Sequence, residues 1–65
     1  MKSYSSREII RILEKDGWTL GWSRERHKQF RHPTKRGLVT VPDPMKDLDI
    51  EVLKSIERQS GIRFA

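Results

Sequence analysis

His27 stands in the most basic stretch of this 65-residue sequence, which runs from Arg24 to Arg36. Imidazole titrates near pH 6.5 when unperturbed, so it can take or give a proton under physiological conditions. Arg24, Arg26, Lys28 and Arg31 surround it, and Lys35 and Arg36 follow. Such cations bind phosphates and stabilise developing negative charge. Together these groups suit cleavage of an RNA strand. One group takes the 2′-hydroxyl proton, cations stabilise the pentacoordinate phosphorane, and an acid protonates the departing 5′-oxygen. That chemistry needs no metal.

Other candidates are weaker. His32 leans with Phe30 and precedes Pro33, which suits a structural residue at a strand end. Trp18 and Trp22 have the chemistry of base-stacking platforms, but in so short a chain both are expected in the core. Glu8, Glu14, Glu51 and Glu57 fall on helix faces expected to meet solvent, and the four glycines are too scattered to cradle a phosphate. There is no cysteine, which excludes disulfides, thiol catalysis and cysteine zinc sites. Two histidines cannot build a three-histidine zinc centre. No metal site and no small-molecule cofactor are expected.

The net charge is +5, and its placement matters more than its size. Residues 24–36 hold six basic side chains opposed by Glu25 alone, so this segment carries +5. Elsewhere 8 basic and 8 acidic side chains balance. An excess confined to 13 residues points to a polyanion-binding surface, against the plainer reading of a solvated basic loop. No apolar run approaches the ~20 residues needed to cross a bilayer, and the polar N-terminus lacks the apolar centre of a signal peptide. A soluble cytoplasmic protein with no membrane partner is expected.

These residues need a scaffold, and hydrophobic periodicity supplies one. Ser5 and Glu8 have capping-box spacing, Ile9, Ile10 and Leu13 form a helical stripe, and Gly17 suits a left-handed stop. Tyr4 could act as a hydrophobic staple on the first turn. From Trp18 the period becomes two: Trp18, Leu20 and Trp22 alternate with Thr19, Gly21 and Ser23. A second alternation sets Lys28, Phe30 and His32 against His27, Gln29 and Arg31. Residues 33–37 read as a turn, Leu38–Val41 as a third strand, and Pro42-Asp43-Pro44 as its stop. A last helix from about Asp49 to Ser60 has Ile50, Leu53 and Ile56 as its inner stripe, Asp47 or Asp49 as cap, and Gly61 as stop.

The expected fold is therefore α+β, in the order α-β-β-β-α, as a single domain over residues 1–65. Its three-stranded antiparallel sheet carries both helices on one face. If Phe30 points inward, alternation turns His27, Gln29 and Arg31 onto the helix-free face. A four-residue turn at Pro33–Arg36 sets the register: Phe30 opposes Val39, Lys28 opposes Val41, Gln29 opposes Thr40 and His27 opposes Pro42. A one-residue slip would turn both valines to water, at about 1.5–3 kcal/mol each.

The runs Ile9–Trp18, His27–Gly37, Val39–Pro44 and Leu53–Ile56 together resemble the HicA family, over about residues 3–62. The resemblance implies a toxin of a bacterial type II toxin–antitoxin pair with a double-stranded-RNA-binding-domain-like fold. It further implies metal-independent endoribonuclease activity, an mRNA interferase, neutralised by a HicB-type antitoxin. The family's catalytic histidine usually follows glycine and serine and precedes an aromatic by three positions. His27 and Phe30 keep that spacing, whereas Glu25 and Arg26 replace the Gly-Ser pair. The expected site is thus His27 as catalytic residue, with Arg24, Arg26, Lys28, Gln29, Arg31, Lys35 and Arg36 binding RNA. The alternative is a non-catalytic RNA-binding module using the same face, which the Glu25-Arg26 departure favours. A third reading is a basic strip that docks an acidic protein.

Overall fold

A computed structural model describes residues 2–64. The first helix, α1 (Ser6–Lys15), begins where its capping box requires. The Ser5 Oγ accepts from the Glu8 N–H at 3.2 Å, and the Ser5 N–H donates to Glu8 Oε1 at 2.9 Å. It ends in a Schellman motif: Gly17 N–H donates to Glu14 O and Trp18 N–H to Leu13 O. Gly17 has φ +102, and a Cβ there would lie 2.9 Å from His32 Nε2, so both backbone and space call for glycine.

Three strands follow: β1 (Thr19–Arg24), β2 (His27–Arg31) and β3 (Val39–Pro42), with α2 (Ile50–Ser60) last. The sheet is antiparallel with β2 in the centre. The order is the expected α-β-β-β-α. The β2–β3 register is the one alternation requires, pairing His27 with Pro42, Lys28 with Val41, Gln29 with Thr40 and Phe30 with Val39. Phe30, Val39 and Val41 consequently share one face and are buried with Ile9 and Leu13 of α1 and Leu53 and Ile56 of α2. Both helices cover that face, and the other is left open.

The core differs from expectation at its edges. Trp18 is buried at 1% exposure, but Trp22 is 47% exposed and Leu20 51%. Two features explain this. β1 is an edge strand, and a β-bulge at Gly21 shifts its register between Leu20 and Trp22. Leu20 opposes Phe30 on the helix side but lies at its margin, whereas Trp22 opposes Gln29 on the open side. Ile50, expected on the inner stripe of α2, is 50% exposed. Leu48, whose N–H donates to Tyr4 O at 2.8 Å, is buried just ahead of the helix.

Phe64 is the other core residue that periodicity did not reveal. Tyr4 is partly buried, its ring 5.7 Å from that of Phe64 and its hydroxyl donating to Phe64 O. Asp49 occupies the N-cap of α2 without a side-chain capping bond, and Gly61 ends the helix at φ 76.

Candidate nucleic-acid interface

The helix-free face is built in rows, because directly paired residues share a side of the sheet. One row is Arg24, His27 and Pro42, the next is Trp22, Gln29 and Thr40, and the third is Thr19 and Arg31. His27 and Arg31 are exposed at the two ends of β2. The Gln29 amide points toward Thr40, with Nε2 3.5 Å from Oγ1. Arg31 crosses the bulge, since a Cβ on Gly21 would lie 3.4 Å from its Nε. The face thus presents one imidazole, one amide, one indole and two guanidinium groups.

His27 is held by its backbone. It is the first residue of β2, after the two-residue turn Glu25-Arg26 that joins it to Arg24. The Arg26 carbonyl accepts from the Asp43 N–H at 2.8 Å, which prolongs the β2–β3 ladder past Pro42. Glu25 has φ 55, a left-handed value that is uncommon outside glycine. A positive φ at the first turn position suits a tight hairpin, and glycine is the residue that adopts it most readily. The glycine of the resembled family's Gly-Ser pattern therefore has a backbone reason at the position of Glu25. Arg26 is exposed in the turn.

The remaining basic candidates do not join this face. Lys28 points to the helix side, opposite Val41, where its Nζ lies 2.8 Å from Asp43 Oδ2. Lys35 donates to Asp16 Oδ2 at 2.6 Å and to Ser60 O at 3.1 Å, joining the ends of both helices. That ammonium hydrogen bond holds the Asp16 carboxyl below its ordinary range, against an opposing desolvation cost. Arg36 is exposed in the β2–β3 loop, at the far end of β2 from His27. The basic segment is continuous in sequence and divided in space.

His32 is structural, as its place before Pro33 suggested. Its Nδ1 accepts from the Thr34 and Lys35 N–H groups, both at 3.1 Å. That leaves Nε2 to carry the proton and donate to Asp16 O at 2.7 Å. The ring also stands edge-on to Trp18, 5.1 Å between centroids. Among the described residues no group of three His, Asp or Glu side chains could hold a metal ion, and no helix is long and apolar enough to cross a membrane.

Trp22 is the member of this face that sequence reasoning missed. The one signal for it was Gly21, since an isolated glycine inside an alternating run can mark a bulge. The model of the family described as HicA toxin of bacterial toxin-antitoxin matches residues 6–62. No curated protein matches the chain.

Proposed function

Because the chain belongs to the HicA toxin family of bacterial toxin–antitoxin systems, its role is that of a toxin, and we propose that it cleaves mRNA as a metal-independent endoribonuclease. His27 is the proposed proton-transfer residue, and Arg24, Arg26, Gln29 and Arg31 bind the strand. The observation that carries this reading is the pairing of Arg24 with His27 on an uncovered sheet face. An imidazole and a cation then meet one phosphate from the same side.

In this scheme the 2′-hydroxyl loses its proton and its oxygen attacks the adjacent phosphorus. The bond from phosphorus to the 5′-oxygen breaks, and that oxygen receives a proton. The products are a 2′,3′-cyclic phosphate and a free 5′-hydroxyl. His27 transfers one of the two protons, and water at this open face exchanges the other. Arg24, paired with His27, neutralises charge on the phosphorane oxygens, and Arg31, at the other end of β2, holds a neighbouring phosphate of the strand. Lys28 and Lys35 contribute through structure, by fixing Asp43 and Asp16. The toxin's antitoxin partner is proposed to be of the HicB type, blocking the basic face.

The non-catalytic reading rests on Glu25, an acidic residue two positions before His27 where the family pattern has glycine. It predicts RNA retention without strand loss. Induction in a bacterial host decides between them. The wild-type chain should arrest growth and deplete mRNA, and His27→Ala should do neither while remaining folded. An outward histidine contributes within about 0.5 kcal/mol to stability, so accumulation of the variant should be normal. Full toxicity of a folded His27→Ala chain would remove His27 from the mechanism.

A further inference from the structure

Trp22 is unexplained by the toxin fold and by the proton-transfer scheme. It lies on the open face because the Gly21 bulge inverts the alternation of β1. Its row stands between the row of Arg24 and His27 and the row of Arg31. We propose that Trp22 is a base-stacking platform that holds one unpaired RNA base beside His27, a proposal that rests on the RNA-cleaving reading above.

The surroundings favour a nucleic acid over an apolar partner. Within the strands of this face the large apolar group is a single indole: Leu20 opposes Phe30 on the other side, and half-exposed Leu38 precedes β3 at the far end of the sheet from His27. The flanks of the indole are guanidinium groups, with a glutamine directly across. A protein interface of apolar character would need a broader patch. One flat ring between two cations matches a ligand that alternates flat bases with phosphates. Paired bases are already stacked in a duplex, so the ligand is single-stranded.

Distance supports the same assignment. Trp22 and His27 are diagonal neighbours across the β1–β2 ladder, about 7–8 Å apart in backbone terms. Long side chains bridge that gap, and so does one nucleotide. A base on Trp22 would leave its adjoining phosphate over the Arg24–His27 row. The indole then sets which phosphodiester reaches the imidazole. Trp22 is therefore a positioning residue, and it favours unstructured RNA without strict base preference.

The chain reports on this itself. It has two tryptophans, and Trp18 is buried, so quenching by added RNA reads Trp22. The probe is a short single-stranded oligoribonucleotide, titrated into the full chain carrying His27→Ala so that it stays intact. Quenching is expected with the single strand and not with its duplex. Trp22→Ala should weaken binding roughly 5- to 150-fold, with an unchanged slope of log affinity on log salt. Trp22→Phe should retain most of the affinity.

Binding that survives Trp22→Ala unchanged, or that leaves the fluorescence untouched, would overturn the stacking platform while sparing the RNA-cleaving reading. Absence of all RNA binding and cleavage by the wild-type chain would overturn both. Loss of antitoxin binding with intact RNA binding in Trp22→Ala would assign the indole to a protein partner, and the proposal would fall.

Discussion

Glu25 holds its backbone at φ 55 two residues before His27. A side chain in that conformation costs about 1–2 kcal/mol. Glycine would remove the cost but add freedom to the unfolded chain, worth about 0.4–1 kcal/mol. Glu25→Gly should therefore stabilise the protein by roughly 0.5–1 kcal/mol. For a domain of this size that raises the thermal midpoint by a few degrees. It also removes a carboxylate from the approach to His27, so RNA affinity should rise with stability. A lower melting temperature in Glu25→Gly would contradict the strained turn. This strain was not readable in the sequence, where Glu25 showed only as a departure from a family pattern.

At the scale of elements, the legible features were those set by local chemistry. The capping box of Ser5 and Glu8, the stop at Gly17 and the pairing of Phe30 with Val39 follow from spacing and alternation. What spacing could not show was the fate of side chains whose partners are distant in sequence. Lys28 reads as one more cation until β3 brings Asp43 to it, and Lys35 until α1 brings Asp16. Trp22 reads as core until one bulged residue inverts its face.

The Asp16–Lys35 ion pair has a consequence for acid stability. Folding lowers the affinity of Asp16 for protons through the Lys35 hydrogen bond, and that of Glu8 through the Ser5 N–H. Both groups then stabilise the fold above their ordinary values near pH 4 and lose that contribution as the pH falls through their lower folded values. Thermal midpoints should therefore fall more between pH 6 and about pH 2 in the wild-type chain than in Asp16→Asn. Equal losses would place the acid sensitivity elsewhere.

For the molecule as a whole, one face of a thin sheet is covered by two helices and the other presents His27, Trp22 and Gln29 with the guanidinium groups of Arg24 and Arg31. The covering helices make the core, and the uncovered side is the proposed site for a strand of RNA. Charge reversal at Arg24 or Arg31 should reduce the salt slope of single-strand binding by about 0.7 for each phosphate no longer neutralised. Reversal at Lys35 should disturb stability first, since its ammonium joins Asp16 to Ser60. The most direct test of the account is cleavage of single-stranded RNA by purified protein in the presence of a metal chelator. The wild-type chain should leave 2′,3′-cyclic phosphate ends, and folded His27→Ala should be slower by about 10²–10⁴-fold. Cleavage by His27→Ala at the wild-type rate, or cleavage that the chelator abolishes, would contradict it.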